Sequence, residues 1–394
     1  MRFYPRALIP AVLLGLLLVC GVSSADFPAR FIPVPEEYRI RAVFDSITVD
    51  DNPEPLVYMG EWIYTRPAPY LFVADPRTEK VRAVDLSTVI ADPPEYFWHG
   101  KIHCRLQCTP DGKIWFGTHF GHQGGTDLKE HPKGWSGGHL ISYDPQTDQL
   151  TDHGIPAWKQ SIMRMVVDHE RQLVYIWTYP DAHFVIFNLE IRAPMDKGPV
   201  VKGVYYVQPW IGPDKNVYLV DTPSRVVRYH PDANTMEDLS PEGAEGLKWM
   251  RALAQSPDRA KVYGYAAEGD EIWLVELNLA DGPNGTIKRL APAPRGNLRH
   301  MDCGRGGTVW IMQRPSETEG DTSHLWRYDA ESGELKDHGR AVLEGGEKSQ
   351  WLWGLQEGMD GRLYICGQRS QEGRAAYGNF GVSGVFVVDP EDLK

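Results

Sequence analysis

Residues 101–154 read KIHCRLQCTPDGKIWFGTHFGHQGGTDLKEHPKGWSGGHLISYDPQTDQLTDHG. This stretch has the pattern of one antiparallel four-stranded unit. A strand and a Pro-Asp-Gly turn are followed by a second strand, a long loop rich in glycine and histidine, a third strand ending at Tyr-Asp-Pro, and a fourth strand. The same order of strands and turns recurs along the chain, which predicts a repeat protein built from four-stranded sheets.

Two of the four strands can be recognised seven times each. The second strands read WIYTR (62–66), KIWFGT (113–118), LVYIWT (173–178), NVYLVD (216–221), KVYGYA (261–266), TVWIMQ (308–313) and RLYICG (362–367). The third strands read YLFVADP (70–76), HLISYDP (139–145), FVIFNLE (184–190), RVVRYHP (225–231), IWLVELN (272–278), HLWRYDA (324–330) and GVFVVDP (384–390). From Trp115 onward the aromatic residues of the second strands are 60, 43, 45, 47 and 54 residues apart, spacings typical of propeller blades with loop insertions.

We therefore predict an all-β fold, a single seven-bladed β-propeller of four-stranded antiparallel blades. The last repeat ends with the chain and leaves no residues for a fourth strand. Residues 38–49 (YRIRAVFDSITV) have the alternation of a strand, so we expect the ring to be closed by this N-terminal strand. No long segment has a period of 3.6 residues, which argues against a two-domain α/β fold.

The first 25 residues have the features of a signal peptide. Arg2 and Arg6 precede a mostly apolar stretch over 7–22, and small residues lead to a cleavage site at Ala25. The apolar stretch is too short and too interrupted by proline for a membrane span. We predict cleavage near Ala25, a secreted or periplasmic location, and a single mature domain over residues 26–394.

Charge and cysteine content narrow the function classes. The formal net charge of −12 falls to −14 when the two arginines of the signal peptide are removed, so we expect no nucleic-acid partner. The four cysteines of the mature chain are too few for a disulfide scaffold, and none form the CxxC pair of a thiolate zinc site. Their pairing stays open, and we expect a monomer. These cysteines are Cys104, Cys108, Cys303 and Cys366.

Strand polarity sorts the candidate functional residues. In a propeller, the starts of first strands, the ends of second strands and the starts of third strands lie on one face of the ring. His103, His119 and His139 occupy these positions in one repeat, and Arg164 and Tyr179 occupy them in the next. The corresponding residues elsewhere, which we expect to bind substrate together with His103, are His183, Gln208, Arg251, Arg299, His300, His324 and Trp353.

A cationic and aromatic mouth on an acidic protein suits an anionic small molecule or oligosaccharide, because arginine can bind a carboxylate or sulfate with two hydrogen bonds. The arginines could instead pair with acidic neighbours inside the ring. The histidines could act as acid and base, hold zinc or manganese, or serve packing alone. The long loop 120–138 favours a functional role, since long loops on rigid scaffolds commonly carry function.

The sequence resembles a known family at these residues. The signature KIH…PDGKIWFGTH…GGHLISYDPQT…DHGIP, followed by R-MVVD…TYP, is similar to secreted seven-bladed propellers that include the ulvan lyases, polysaccharide lyases that act on uronic-acid polymers. The specific part of the resemblance covers about residues 101–190. It implies that His119, His139 and Tyr179 handle protons and that Arg164 neutralises the substrate carboxylate. In the fourth repeat, the position at which we expect a basic residue to help neutralise the carboxylate is occupied by Gln208.

The implied reaction is β-elimination on an anionic polysaccharide or oligosaccharide, with no cofactor required. A base would remove the proton α to the uronate carboxylate, Arg164 or Arg251 would stabilise the enolate, and an acid would protonate the leaving oxygen. Two alternatives stay open. One is a metal-dependent enzyme of the streptogramin-lyase or lactonase type of propeller, with a divalent zinc, manganese or calcium ion. The other is a non-catalytic carbohydrate-binding or scaffolding propeller.

Overall fold

The computed structural model describes eleven stretches of the chain. They are residues 26–38, 40, 42–63, 68–92, 99–120, 135–201, 206–222, 225–294, 297–314, 323–369 and 381–393. The expected signal peptide and residues 121–134 of the long loop lie outside them. Within these stretches the only helices are three short 3₁₀ turns at Glu36–Tyr38, Leu86–Thr88 and Pro390–Leu393. None of the described helices is long and apolar enough to cross a membrane.

The remaining regular structure is β-strand. The N-terminal strands are β1 (Phe27–Pro28) and β2 (Arg30–Pro33). The first two repeats form β3 (Ala42–Val49), β4 (Val57–Trp62), β5 (Tyr70–Asp75), β6 (Lys80–Asp85), β7 (His99–Ile102), β8 (Gln107–Cys108), β9 (Ile114–Phe120), β10 (Leu140–Asp144) and β11 (Gln149–Asp152). The third and fourth form β12 (Ser161–Asp168), β13 (Leu173–Tyr179), β14 (Phe184–Asn188), β15 (Ala193–Asp196), β16 (Trp210–Ile211), β17 (Val217–Thr222), β18 (Arg225–His230) and β19 (Thr235–Leu239).

The last three repeats complete the set of strands. The fifth and sixth form β20 (Leu247–Gln255), β21 (Lys261–Glu268), β22 (Glu271–Asn278), β23 (Thr286–Pro292), β24 (Asn297–Cys303), β25 (Thr308–Arg314), β26 (His324–Asp329) and β27 (Leu335–Asp337). The seventh forms β28 (Ala341–Val342), β29 (Ser349–Glu357), β30 (Leu363–Arg369) and β31 (Val382–Val388).

These strands form an all-β propeller, as predicted, but the described residues show five separate blades and not seven. Each of the five is a four-stranded sheet with the order β12-β13-β14-β15, β16-β17-β18-β19, β20-β21-β22-β23, β24-β25-β26-β27 or β29-β30-β31-β2. The first two repeats share one nine-stranded sheet instead. They are joined because β7 pairs with both neighbours: Lys101 lies opposite Trp62 of β4 and opposite His119 of β9.

Most of the strand positions predicted from the repeats are confirmed. All seven third strands and six of the seven second strands lie where the sequence placed them. In the first repeat the strand that pairs with the third strand is β4 at Val57–Trp62, which begins earlier than the predicted 62–66; residues 64–66 of that prediction lie outside the described residues. Almost all of β4 is buried, and such a strand lacks the alternation by which half-buried strands are recognised.

The ring is closed by an N-terminal strand, but by a different one from that predicted. β2 pairs antiparallel with β31, from Arg30 opposite Val387 to Pro33 opposite Gly384. Residues 42–49 instead form β3, which pairs with β4 in the first repeat. The outer strand of a blade is partly exposed, whereas Val43, Ile47 and Val49 of β3 are buried. Burial therefore places β3 inside the ring.

The core lies between neighbouring sheets, where large aromatic side chains such as Tyr58, Phe116 and Trp177 are fully buried. One glycine in this core sets the position of the candidate site. A Cβ atom at Gly117 of β9 would lie 2.4 Å from Cβ of Ile162 on β12. The absence of a side chain lets β12 pack closely on β9, which brings Arg164 of the third repeat next to the histidines of the second.

Candidate functional site

Strand β9 divides the histidines of the second repeat between two clusters, since successive side chains on a strand point to opposite faces. His139 lies opposite Thr118, whose hydroxyl accepts a hydrogen bond from the His139 backbone N–H at 2.8 Å. His139 therefore shares the face of Thr118, and His119 points to the other. The structure does not bring His119 and His139 together as predicted.

We call the group around His119 the channel cluster and the group around His139 the carboxylate cluster. The channel cluster consists of His103, His119, Arg164, Tyr179, Tyr206 and Arg251. The carboxylate cluster consists of Asp92, His99, Ser136, His139 and Asp152.

In the channel cluster, the buried His119 is held between two rings. Its ring stacks on Tyr179 with centroids 5.7 Å apart and meets His103 edge to face at 5.1 Å. Nδ1 lies 3.0 Å from the Phe120 carbonyl oxygen, which can only accept, so Nδ1 carries the proton. Burial, with the charges of Lys101 and Arg164, holds the pKa of His119 well below its usual value. His119 is thus a neutral imidazole whose Nε2 has a lone pair.

Two arginines meet at Tyr206 in the same cluster. The guanidinium carbons of Arg164 and Arg251 lie 5.5 Å and 5.3 Å from the centre of the Tyr206 ring. Nη1 of Arg164 donates to the carbonyl oxygens of His103 at 2.7 Å and Met163 at 2.9 Å, which fixes the side chain. Tyr206 is 42% exposed, whereas Arg164 is 6% exposed. The cluster therefore reaches solvent beside Tyr206 and carries positive charge below it.

The carboxylate cluster surrounds His139 with acceptors. Nδ1 of His139 lies 2.8 Å from Oδ2 of Asp152, and Nε2 lies 3.1 Å from Oδ1 of Asp92. Burial would lower the pKa of His139, but the hydrogen bonds with Asp152 and Asp92 outweigh it and raise the pKa to about 9. In the absence of another cation, His139 is an imidazolium between two carboxylates at neutral pH.

Asp92 links this histidine to a second one. Its Oδ2 lies 3.1 Å from Nε2 of His99 and also accepts a hydrogen bond from the Ser136 hydroxyl. Nδ1 of His99 lies 3.0 Å from the Thr118 hydroxyl. Burial would raise the pKa of Asp92, but the hydrogen bonds from the two histidines and Ser136 hold it well below its usual range. Asp92 is therefore ionised despite its burial.

Part of the carboxylate cluster is a structural device that the fold repeats. His183 pairs with Asp196 at 2.8 Å and His324 pairs with Asp337 at 3.0 Å, as His139 pairs with Asp152. In each case the residues are 13 apart, and the aspartate also accepts the backbone N–H of a glycine two residues on. The structure thus places His183 and His324, both predicted to bind substrate, in a contact between the third and fourth strands of a blade.

The other predicted residues lie in three places. His300 is buried within the ring, where burial and the charges of Arg105 and Arg164 keep its pKa well below the usual value. Gln208 donates through Nε2 to the Met165 carbonyl oxygen at 2.8 Å. Trp353 is buried and stacks on Trp351 with centroids 5.5 Å apart. The side chain of Arg299 lies outside the described part of the structure.

Sequence reasoning missed Asp92, His99 and Tyr206. Asp92 and Tyr206 border stretches outside the described residues, and neither falls at a strand position that the repeat pattern marks. His99 begins β7, the strand that joins the first two repeats. Because the repeats were expected to be separate, no signal pointed to a strand between them. A sequence feature that could have drawn attention to His99 is its position four residues before His103, the first candidate histidine of the second repeat.

Among the described residues, Cys104, Cys108, Cys303 and Cys366 form no disulfide bond. His153 and His338 occupy equivalent positions in their blades, each against the tryptophan of its second strand, with centroid distances of 4.7 Å to Trp115 and 6.2 Å to Trp310. These residues therefore belong to the structure of the blades and not to either cluster.

The fold defines the class of this protein: it is an all-β propeller. It is similar to the solved structure of a catalytically inactive virginiamycin B lyase from Staphylococcus aureus with quinupristin (TM-score 0.58, 10% identity, 92% of this chain and 100% of that chain). It is also similar to the WD40 repeats of RRP9 (TM-score 0.56, 9% identity, 93% and 98%). A third similar structure is the extracellular domain of a hybrid two component system from B. thetaiotaomicron (TM-score 0.54, 12% identity, 92% and 40%).

No family model and no curated protein matches the sequence. At these identities the structural similarities establish the propeller fold and leave the activity to be argued from the site.

Proposed function

We propose that this chain is an exported polysaccharide lyase that cleaves a uronic-acid-containing polysaccharide or oligosaccharide by β-elimination. The observation that carries the proposal is the channel cluster, in which a neutral imidazole with a fixed tautomer stacks on a tyrosine beside two arginines. β-Elimination from a uronate needs a base, an acid and positive charge near the carboxylate, and the cluster contains all three.

The arginines supply the substrate contact. A uronate carboxylate placed beside Tyr206 would lie within reach of Arg164 and Arg251, whose planar guanidinium groups bind carboxylates with two hydrogen bonds. The same charges stabilise the enolate that forms when the α-proton leaves, because the carboxylate then carries additional negative charge. The exposed Tyr206 ring provides a surface for a sugar ring.

Proton transfer falls to His119 and Tyr179. Nε2 of His119 accepts the proton α to the carboxylate, and the electrons of the broken C–H bond form the enolate. Those electrons then form the carbon–carbon double bond as the glycosidic C–O bond breaks. The Tyr179 hydroxyl donates its proton to the leaving oxygen. Because the two rings are stacked, both groups would lie beside a single bound substrate.

Substrate binding itself would make His119 a better base. Part of the depression of its pKa comes from the positive charge of Arg164. Burial is the main cause of that depression, and a bound carboxylate would offset the further effect of the Arg164 charge. The base is thus weak in the free protein and strengthens when a uronate is bound.

The test is to incubate the purified mature chain with ulvan, pectate and a panel of glycosaminoglycans. Each double bond formed next to a carboxylate adds ultraviolet absorbance, so turnover is read directly. We expect absorbance to rise with at least one acidic polymer, and Arg164→Ala to reduce the rate by about 10²–10³-fold. Arg77→Ala, which alters an exposed arginine paired with Asp75 and Glu54, is the matched control and should keep the rate.

Other outcomes favour the alternatives. If no acidic polymer gives absorbance but glycans bind and binding survives His119→Ala, the chain is a carbohydrate-binding or scaffolding propeller. Quinupristin, present in the similar virginiamycin B lyase structure, serves as a separate arm. Turnover of quinupristin without turnover of polysaccharides would replace the lyase proposal with one for a streptogramin-type enzyme.

Two structural proposals accompany the function. We infer that the ring has seven blades, because β3-β4-β5-β6 and β8-β9-β10-β11 each have the strand order of a blade within the nine-stranded sheet. We also infer export after cleavage near Ala25, from the sequence of the first 25 residues. A crystal structure tests the blade count, and mass spectrometry of the secreted protein tests the cleavage site.

A further inference from the structure

The carboxylate cluster contains a set of metal-ligand atoms from Asp92 and His99, which are seven residues apart, and from His139, which follows 40 residues after His99. One ligand atom each from Asp92, His99 and His139 can be chosen so that all three lie within 4.8 Å of one another. The three residues are buried or nearly so, with side-chain exposures of 6%, 0% and 6%. Buried charged groups are either paired with an opposite charge or coordinate a metal.

The distances fit a first-row transition metal. Zinc bonds of about 2.0–2.2 Å to nitrogen and oxygen in a tetrahedral site place neighbouring ligand atoms roughly 3.3–3.6 Å apart. Nε2 of His99 lies 3.1 Å from Oδ2 of Asp92 and Nε2 of His139 lies 3.1 Å from Oδ1, while the three ligand atoms together lie within 4.8 Å. Zinc binding would therefore draw the two imidazoles toward a single oxygen of Asp92. Two nitrogen ligands with one oxygen suit zinc, whereas magnesium and calcium prefer oxygen alone.

The outer contacts of the histidines point the same way. Each imidazole directs Nε2 toward Asp92 and has its Nδ1 next to an oxygen: Asp152 for His139 at 2.8 Å, and the Thr118 hydroxyl for His99 at 3.0 Å. Metal-bound histidines almost always have such a partner on the second ring nitrogen, because it fixes the ring and raises its basicity. The cluster therefore has outer partners as well as ligands.

The repeated histidine–aspartate pairs provide an internal comparison. His183–Asp196 and His324–Asp337 have the same pair without a second carboxylate or a second histidine on the other ring nitrogen among the described residues. The blade structure therefore requires only the pair. Asp92 and His99 are additions found at the second repeat, and the need for a blade contact does not explain them.

We propose that Asp92, His99 and His139 bind one zinc ion, which ties the end of the first repeat to the start of β7 and to the start of β10. The alternative is a metal-free network in which His139 is an imidazolium between Asp92 and Asp152. This site is separate from the channel cluster, and the proposal does not depend on the lyase activity.

The experiment uses the untagged mature chain, since an affinity tag of histidines would bind zinc. The protein is stripped with a chelator, dialysed against zinc chloride at micromolar concentration, and measured by elemental analysis. We expect one zinc per chain, with loss of this zinc in Asp92→Asn and in His99→Gln. His183→Gln and His324→Gln are matched controls that each remove a repeated pair, and both should retain one zinc.

A second readout covers variants that fold poorly. Cobalt titrated into the stripped wild-type chain should give visible absorption bands of a four- or five-coordinate ion, saturating at one equivalent. Zinc should then displace the cobalt and raise the melting temperature, because an ion that binds only the folded state stabilises it. Absence of stoichiometric zinc and cobalt from the wild-type chain, or equal zinc loss in the two controls, would overturn the proposal.

Discussion

His119 and His139 belong to the same repeat, flank the same loop and are both buried, yet their surroundings are opposite in charge. Lys101 and Arg164 act on His119, and burial with these charges keeps its pKa well below the usual value. His139 lies between Asp92 and Asp152, which raise its pKa to about 9 against the effect of burial. One histidine is suited to accept a proton from a substrate, and the other to hold a cation.

The difference arises from strand geometry. Strand polarity decides which end of a blade a residue occupies, and by that criterion His119 and His139 fall together. The alternation of side chains decides the face, and by that criterion they separate. Strand polarity alone grouped His119 and His139 into one site. The alternation of side chains along β9 places them in two separate clusters. Candidate residues in propellers should be sorted by both criteria.

The largest expected effect tests the role of the channel cluster. Tyr179→Phe keeps the ring stacked on His119 and removes the hydroxyl, so we expect turnover of an acidic polysaccharide to fall by about 10²–10⁴-fold with little change in stability. Tyr206→Phe is the matched control, because its ring contacts both arginines and we assign its hydroxyl no proton. Equal losses of turnover in the two variants would exclude Tyr179 as the acid.

The next effect concerns the stability of the carboxylate cluster. Asp92→Ala leaves the imidazolium of His139 and the ring of His99 buried without their shared partner. Removing one member of a buried ionic group costs about 3–5 kcal/mol of the free energy of unfolding. Denaturant unfolding of chelator-treated protein measures the loss without a contribution from metal. Asp196→Ala, which breaks an exposed pair, should cost less than about 1 kcal/mol, and a similar cost for Asp92→Ala would contradict the proposed network.

A third prediction compares the two histidines directly by NMR titration of chelator-treated protein. His139 should stay protonated until the pH approaches about 9, and His119 should already be neutral at its ordinary pKa of 6.5. The stability effects have opposite signs. The raised pKa of His139 gives stability that is present below its ordinary pKa of 6.5 and is lost as the pH rises toward 9. The depressed pKa of His119 gives stability that is lost as the pH falls below 6.5.

Repeating the titration with added zinc tests the proposed metal site. A zinc ion on His139 replaces the proton on Nε2, so the titration near pH 9 should disappear while the behaviour of His119 is unchanged. A titration of His139 that is the same with and without zinc would support the metal-free network. A His119 that titrates near pH 6.5 would contradict its burial beside Arg164.

Much of the fold followed from the sequence, because repeated aromatic residues and Asp-Pro turns mark strands by local pattern alone. The errors occur where local pattern does not carry the deciding information. β3 alternates enough to pass for an outer strand, and only its burial shows that it lies inside the ring. β7 joins two repeats through pairs such as Lys101 with Trp62 and with His119, and contacts between repeats leave no mark on either repeat alone.

The candidate site shows the same limit. Arg164, Tyr179, His103 and His119 were found because each occupies a recurrent position in a repeat. Asp92 and Tyr206 were missed because they occupy none. One of the two carboxylates that raise the pKa of His139, Asp92, comes from 47 residues earlier in the chain, so its contact depends on the packing of two repeats.

The smallest expected effect tests whether the repeated histidine–aspartate pair is only a blade contact. His183→Gln and His324→Gln each remove one partly exposed pair, so each should cost at most about 1 kcal/mol of the free energy of unfolding. The loss should be greater for His324, because Asp337 is 23% exposed whereas Asp196 is 45% exposed and its charge is better screened by water. Neither variant should change polysaccharide turnover if the two histidines act only in their blades. A loss of turnover in His183→Gln alone would return that residue to the substrate site, next to Tyr179 at the end of the same blade.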